Sequence, residues 1–180
     1  MDHVSLGILF RALAFAARRH RDQRRKDAVV SPYINHPIAL ADVLVNEGGV
    51  SDETVLCAAI LHDTIEDTDT TIDELAAEFG SRIADIVSEV SDDTSLPKVD
   101  RKRLQVEHAA GSSHEAKLVK LADKICNLRD ILQSPPAHWP TSRKQEYFDW
   151  SADVLVGLRG TNPGLEAEVD RLLARRAELR

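Results

Sequence analysis

The chain has 180 residues, of which 43% are apolar and 29% are charged, and its formal net charge is -7. This length and balance fit one globular domain, expected over residues 1–180, with a hydrophobic core. The net negative charge argues against a protein that binds nucleic acid through a broad basic surface, although a local basic patch would still bind an anionic small molecule.

The chain opens with the pattern of an amphipathic helix. Its apolar face is marked by Leu6, Leu9, Phe10, Leu13 and Ala17. This apolar start is too short to cross a bilayer, and it does not have the form of a signal peptide. We therefore expect no membrane association and a cytoplasmic protein. Its two cysteines, Cys57 and Cys126, lack a CxxC partner and are expected to be buried reduced thiols.

A loop and two further helices follow. The loop is the segment RRKDAVVSPYINHP, and Pro37 at its end suits the first turn of the second helix. Gly48 or Gly49 is expected to end that helix. The third helix carries the apolar run VLCAAIL and is expected to begin near Ser51 or Asp52.

The later helices are marked by capping boxes, in which a Ser or Thr and a Glu or Gln three residues later satisfy the first amides of a helix. The candidate boxes pair Thr71 with Glu74, Ser112 with Glu115, and Ser142 with Gln145. Gly80 stands where the first of these helices would stop. Strand patterns are weak throughout, so the sequence predicts an all-α protein built as a single helical bundle.

Histidines and carboxylates gather at four places in these helical segments. They are His36 before the second helix, His62–Asp63 at the end of the third, Glu66–Asp67 one turn later, and Asp123 in KLADKICNLRD. Residues four apart share a helix face, so Glu66 is expected near His62. The adjacent residues of the HD pair can face one ion only near a helix end. Carboxylates this close are costly unless a cation neutralises them.

A divalent metal ion would neutralise this cluster. Two imidazoles with two carboxylates form a donor set that suits Mn²⁺, Fe²⁺, Co²⁺ or Zn²⁺ better than Ca²⁺. Such an ion lowers the pKa of a bound water, and Glu66 or Asp67 would orient that water or take its proton. The residues alone therefore predict a hydrolytic metal site and leave the identity of the metal open.

Each part of the pattern also has a purely structural interpretation. An isolated HD dipeptide is typical of a solvated helix end, and the acidic run EDTDT precedes the cap at Thr71. Asp123 would pair with Lys120 or Lys124, and His36 alone would bond to the backbone. The parts occur together and in one order on helical segments, and this conjunction favours the metal site.

The order H…HD…ED…D resembles that of the HD-domain phosphohydrolases. The surrounding sequence is similar to the hydrolase domain of RelA/SpoT enzymes, and most of all to the small single-domain alarmone hydrolases of metazoa and bacteria. The similar segments are RRKDAVVSPYINHPI, AAILHDTIEDTDTTIDELAAEFG, LPKVDRKRLQVE, AKLVKLADKICNLRD and QEYFDWSADVLVGLRGTN. The resemblance implies an HD-fold bundle with one Mn²⁺ ion. It also implies hydrolysis of the 3′-diphosphate of ppGpp or pppGpp to pyrophosphate and GDP or GTP.

The resemblance also implies a role for each site residue. The metal ligands are matched by His36, His62, Asp63 and Asp123, and the acidic pair that acts on the water is matched by Glu66 and Asp67. The substrate contacts are matched by Arg25, Lys26, Asn127, Arg129 and Tyr147, with Tyr33 and Ser31 as further candidates. The basic pair at positions 25 and 26 ends a segment, residues 18–26, with six basic residues against one acidic residue. A phosphate-rich substrate needs countercharge near His36, where this pair lies, whereas Arg18, Arg19 and Arg21 are expected on a solvated helix face.

The expected partner is a small nucleotide, without nucleic acid or a membrane, and the substrate base is left open. The same site would accept adenosine alarmones such as pppApp, or the 2′-phosphate of NADPH. Outside enzymes, a non-catalytic nucleotide-binding module that keeps the fold is an alternative. The stretch Asp27–Val30 is often richer in glycine in the family, and it bears on base preference because it lies between the basic pair and the first ligand. The sequence does not predict an oligomeric state.

Overall fold

The computed structural model describes residues 3–180, with side chains from Leu6 onward. The helices of this range are α1 (His3–Arg19), α2 (Asn35–Asn46), α3 (Glu53–Leu61), α4 (Thr64–Asp67), α5 (Ile72–Phe79), α6 (Ser81–Val90), α7 (Lys98–Ala109), α8 (His114–Gln133), α9 (Thr141–Val156), α10 (Pro163–Leu173) and a 3₁₀ turn (Ala174–Glu178). Between residues 3 and 180 there is no β-strand, and an isolated antiparallel bridge joins Arg24 to Pro32. The all-α prediction is confirmed.

Helix α3 forms the centre of the bundle. Every residue from Val55 to Leu61 is at most 3% exposed, because α1, α2, α6 and α8 surround this helix. The side chain of Asp52 begins it by accepting from the amide of Thr54 at 2.8 Å, as the sequence predicted. The end of α3, where the HD pair follows, is therefore held from several sides.

Of the three predicted capping boxes, one is correct and two are wrong. Thr71 caps α5 by accepting from the amide of Glu74 at 3.2 Å, and Gly80 ends that helix with a φ of 91°. Ser113, rather than Ser112, caps α8, because the Glu89 carboxylate of α6 holds the Ser113 amide and hydroxyl. Helix α9 begins directly after Pro140, at Thr141, without a side-chain cap.

The apolar face predicted for α1 differs from the face that is buried. Ala12 and Ala16 are fully buried against α3, whereas Phe10 is 66% exposed. Phe15 packs edge-on against Phe79 of α5 with ring centroids 5.4 Å apart. Small side chains let α1 approach α3 closely, so helix packing rather than hydrophobicity alone selects the buried face.

Both cysteines are free and buried, as expected. Cys57 lies in α3 and Cys126 in α8, and burial raises the pKa of Cys57 to about 12. These thiols are inert parts of the core. None of the helices in the described part of the chain is both long and apolar enough to cross a membrane.

Candidate metal centre

The HD pair lies at a break between two helices. Helix α3 ends at Leu61, and the short helix α4 begins at Thr64. At the break, Asp63 has φ -94° and ψ -1°, and the Thr64 hydroxyl satisfies the Leu61 carbonyl at 2.6 Å. This change of direction lets the neighbouring side chains of His62 and Asp63 face the same point, as the adjacency of the two residues required.

The four predicted ligands come together from three parts of the chain. One donor atom each of His36, His62 and Asp123 lies within 4.8 Å of the others. His36 Nε2 is 3.3 Å from Asp123 Oδ1 and 3.9 Å from Asp63 Oδ2. Asp63 Oδ2 is also 2.8 Å from His62 Nε2, and it accepts a hydrogen bond from the Tyr33 hydroxyl. The arrangement joins α2, the break after α3, and α8.

The hydrogen bonds of His62 indicate that the cluster fits a cation. Its Nδ1 donates to the Ala59 carbonyl at 2.8 Å, so the proton of the neutral ring is on Nδ1 and the lone pair is on Nε2. Among the residues described, this Nε2 is buried and has no hydrogen-bond partner, since Asp63 approaches it outside hydrogen-bond geometry. An imidazole nitrogen without a hydrogen-bond partner, together with the carboxylates that it faces, forms the donor set expected of a divalent metal site.

The carboxylates of the cluster stay ionised despite their burial. Burial by itself raises the pKa of Asp63, but the facing His62 imidazole holds it well below its usual range. For Asp123, burial is likewise outweighed by the Lys124 ammonium, which lowers the pKa of this carboxyl. Burial lowers the pKa of His62, yet the Asp63 carboxylate raises it to about 9, so without a bound cation a proton occupies Nε2 and faces the carboxylates, in the position that a metal ion would take. The pocket thus holds concentrated negative charge that positive groups must balance.

Asp123 makes both kinds of contact predicted from the sequence, an ion pair with a neighbouring lysine and an approach to the histidines of the cluster. Its Oδ2 lies 3.1 Å from Lys124 Nζ, as the structural interpretation predicted, and Lys124 is only 4% exposed. Its Oδ1 faces His36 and accepts from Asn127 Nδ2 at 2.6 Å. The two oxygens therefore have separate partners, and one of them points toward the histidines.

The acidic pair lies beside these ligands. Glu66, Asp67 and the four ligands line one cavity of about 270 Å³. Glu66 Oε1 accepts from the Asp92 amide at 2.7 Å, and burial raises the pKa of Glu66 to about 7. Asp67 Oδ2 accepts from Gln23 Nε2 at 2.8 Å. A carboxyl whose pKa lies near neutrality is suited to take and release a proton.

A second hollow adjoins the metal cavity and is called the basic hollow after Arg24, Arg25 and Lys26, which line it together with three acidic residues, Asp27, Asp67 and Asp130. It has a volume of about 280 Å³ and shares several lining residues with that cavity, which are Arg25, Tyr33, Asp67, Asn127 and Tyr147. Lys26 and Trp139 also line it. Arg25 Nη2 lies 2.5 Å from Asp130 Oδ2 and 3.3 Å from Asn127 Oδ1. Burial raises the pKa of Tyr147 to about 12, so its hydroxyl is a neutral donor between the two spaces.

Arg129 does not lie with the other predicted substrate contacts. Its guanidinium pairs with Glu47 at 2.7 Å and with Glu168 at 2.5 Å, so it ties α8 to the end of α2 and to α10. It lines neither the metal cavity nor the basic hollow. Arg129 is two residues after Asn127, and two residues carry a helical side chain to the far face.

Some residues at the site were not predicted from the sequence. Gln23 holds Asp67, and Gln105 and Trp150 line the metal cavity. Gln23 has a positional cue, since it stands two residues before Arg25 on the same segment. Gln105 lies in a polar helix with nothing to distinguish it from other exposed positions, and only the packing of α7 brings it to the cavity.

Comparison with known proteins agrees with this geometry. The family signature of the HD domain matches residues 12–149. The zebrafish (Danio rerio) guanosine-3′,5′-bis(diphosphate) 3′-pyrophosphohydrolase MESH1 is 52% identical over 98% of this chain and 98% of its own. The human (Homo sapiens) protein of the same name is 55% identical over 93% of this chain and 94% of its own. One solved structure is described as a metazoan ortholog of SpoT that hydrolyses ppGpp and plays a role in starvation responses. It matches with a TM-score of 0.92 and 46% identity, covering 96% of this chain and 97% of its own.

Proposed function

The chain belongs to the HD-domain family, and we propose that it is an enzyme that hydrolyses the 3′-diphosphate of ppGpp and pppGpp. Water is consumed, and pyrophosphate and GDP or GTP are released. The observation that carries the proposal is the meeting of His36, His62 and Asp123, with a bare buried imidazole nitrogen, beside a basic hollow. Relatives at 52% and 55% identity carry this activity in their names.

The metal proposed for the site is Mn²⁺, held by His36, His62, Asp63 and Asp123. This mixed set of imidazole and carboxylate donors suits a borderline divalent ion. When bound, such an ion supplies a Lewis acid that lowers the pKa of water and offsets phosphate charge. Ala59 supports this role, since its carbonyl keeps the Nε2 lone pair of His62 directed into the cavity.

The acidic pair prepares the attacking water. Glu66, with a pKa near neutrality, takes the proton of that water at its free carboxylate oxygen while its Oε1 stays on the Asp92 amide. Asp67, held by Gln23, orients the water from the side that faces the basic hollow. As the bond between phosphorus and the ribose 3′-oxygen breaks, the proton passes from Glu66 to that 3′-oxygen, directly or through solvent, so the nucleotide leaves with a 3′-hydroxyl and pyrophosphate carries the oxygen of the water.

The basic hollow holds the rest of the nucleotide. Arg25 lies at the junction with the metal cavity, and Lys26 lines the outer part, where both would offset phosphate charge. Asn127 and Tyr147 supply neutral polar groups at the same junction, and Tyr33 supports the Arg25 guanidinium, which lies 5.6 Å from its ring centroid. These positions fix the ribose and its 3′ substituent against the cluster.

The proposed activity is accompanied by a proposed domain organisation, partner and location. Residues 1–180 act as one domain whose partner is a small nucleotide, without nucleic acid or a membrane. The cytoplasm is the proposed location, since two free buried thiols suit a reducing compartment.

Product analysis of the purified protein with Mn²⁺ tests the function. The substrates are ppGpp, pppApp and NADPH in parallel, with EDTA as one control and an Asp123→Ala variant of unchanged circular dichroism as the other. Metal-dependent release of pyrophosphate from ppGpp, lost in EDTA and in Asp123→Ala, is expected. Preference for pppApp, phosphate release from NADPH alone, or full turnover by metal-free Asp123→Ala would contradict the proposal.

A further inference from the structure

A continuous chain of hydrogen bonds follows one wall of the metal cavity. At one end, Glu66 Oε1 accepts from the Asp92 amide at 2.7 Å. Both carboxylate oxygens of Asp92 lie 2.8 Å from Gln105 Nε2. Gln105 Oε1 accepts from Lys124 Nζ at 3.3 Å, and Lys124 Nζ lies 3.1 Å from Asp123 Oδ2. The chain therefore joins the acid that prepares the water to a carboxylate of the metal cluster.

Gln105 is the central member of this chain, and its chemistry suits the position. Its amide donates to a carboxylate on one side and accepts from an ammonium on the other, so both charged neighbours fix the same orientation of the amide. Gln105 lies in α7, Asp92 in the segment between α6 and α7, and Lys124 in α8. A single side chain thus connects three parts of the fold at the edge of the cavity.

The Lys124 end of the chain affects the metal cluster. Lys124 is 4% exposed, and Gln105 and the Trp150 ring, 4.4 Å away, share its ammonium with Asp123. Without the Gln105 oxygen, a buried ammonium has one acceptor fewer and turns more fully onto Asp123. The ammonium then competes with a metal ion for that carboxylate.

The Asp92 end affects the acidic pair. The Asp92 amide holds Glu66, and the Asp92 side chain is held by Gln105, with Arg101 Nη1 farther away at 3.9 Å. Loss of the Gln105 amide leaves the Asp92 carboxylate to the more distant arginine and releases the backbone that carries the amide. Glu66 then loses its fixed distance from the metal cluster.

We propose that Gln105 is a positioning residue. Through Asp92 and Lys124, it fixes the positions of the Glu66 and Asp123 carboxylates relative to each other. The inference rests on the proposed hydrolase function and adds a residue to its machinery. Gln105 acts through these two charged neighbours. Its loss weakens the chemical step and the binding of the metal, while the binding of the nucleotide in the basic hollow is unchanged.

Substitution of Gln105 by leucine, which keeps the size and removes both hydrogen bonds, is the first test. With Mn²⁺ and ppGpp, Gln105→Leu is expected to lower kcat about 10- to 100-fold and to leave KM within about threefold. By electron paramagnetic resonance, its dissociation constant for Mn²⁺ alone is expected to rise about tenfold. Gln145→Leu, the same change at a half-buried glutamine of α9 outside both cavities, is the matched control and is expected to behave as the wild type.

Exchange of donor and acceptor separates positioning from general stability. Gln105→Glu keeps an acceptor for Lys124 but loses the donor to Asp92, so kcat is expected to fall while the affinity for Mn²⁺ is retained. In the double variant Gln105→Glu with Asp92→Asn, the new amide at 92 donates to the new carboxylate at 105, and the net charge is that of the wild type. The double variant is expected to recover kcat at least about tenfold over Gln105→Glu, with equal thermal unfolding temperatures.

The outcomes distinguish this inference from the function on which it rests. Wild-type protein that does not hydrolyse ppGpp overturns the proposed function, and the Mn²⁺ affinities of Gln105→Leu and Gln145→Leu still decide the inference. An active wild type together with a Gln105→Leu variant of unchanged kcat and unchanged Mn²⁺ affinity overturns the inference alone. A double variant no better than Gln105→Glu overturns the link through Asp92.

Discussion

The metal cluster and the basic hollow share a wall but are built in opposite ways. In the cluster, His36 and His62 are 4% and 6% exposed, and the charged groups face fixed partners from other helices. In the hollow, Lys26 is exposed, and the adjoining loop carries the exposed side chains of Val29 and Val30. One region is held by packing, and the other lies open to solvent.

This difference separates the two tasks of the site. Charges that are buried and fixed act strongly on a reaction, because they need no reorganisation when the transition state forms. Charges at an open surface are screened by water and salt, so they contribute more to the binding of the nucleotide than to the chemical step. Changes in the cluster should therefore affect kcat and metal affinity, whereas changes in the hollow should affect mainly KM.

The largest effect is expected from Glu66→Gln in the buried region. The variant keeps the size and the hydrogen bond to the Asp92 amide but cannot take a proton, so kcat should fall about 10²- to 10⁴-fold. Its affinity for Mn²⁺, measured by calorimetry, should stay close to that of the wild type. A Glu66→Gln enzyme with wild-type kcat would show that another group activates the water.

The pH dependence of kcat also tests whether Glu66 takes the proton of the water. Burial raises the pKa of Glu66 to about 7, so the ionised form that accepts a proton is depleted as the pH falls through that value. Activity should decline toward acid, and a bound cation can move this acid limb only to lower pH because it favours the carboxylate. A pH–rate profile of the wild type should show the limb at or below pH 7, and a limb above pH 8 would contradict the assignment.

A smaller effect is expected from Arg25→Ala in the basic hollow. Loss of a charge-assisted contact to phosphate costs about 1.5–3 kcal/mol, so KM for ppGpp should rise tenfold or more with little change in kcat. Steady-state kinetics would measure both constants. Arg21→Ala, which removes the same charge from a side chain that is 78% exposed and pairs with Asp22, is the matched control and should leave KM unchanged. A drop in kcat at constant KM would place Arg25 with the buried region instead.

The smallest effect concerns the stability of the exposed loop. Val30 has a φ of 55°, a conformation that costs a β-branched residue about 1–2 kcal/mol and costs glycine little. Val30→Gly should therefore stabilise the protein by about 0.5 kcal/mol after the added entropy of the unfolded chain is counted. Val29→Gly adds the same entropy without relieving strain, and it should destabilise. Denaturant unfolding would compare the two, and equal destabilisation would show that Val30 is not strained in solution.

The features that could be predicted from the sequence depend on residues that are neighbours in the chain. The break at His62–Asp63 and the cap at Asp52 depend on neighbours in the sequence, so the residue pattern was sufficient to predict them. Arg129 was predicted as a substrate contact from resemblance alone, and it instead pairs with Glu47 and Glu168, residues remote from it in the sequence. A helical pattern does not reveal which face of α8 meets which partner.

By itself, the sequence determined an all-α fold with HD-family chemistry. Helix periodicity and caps depend on residues close together in the chain, and the order of His36, His62, Asp63 and Asp123 can be read directly from the sequence. The tertiary structure alone decided which face of α1 is buried and that α7 brings Gln105 between Asp92 and Lys124. Such contacts join residues far apart in the chain. They depend on how whole helices pack, and the composition of one helix does not contain that information.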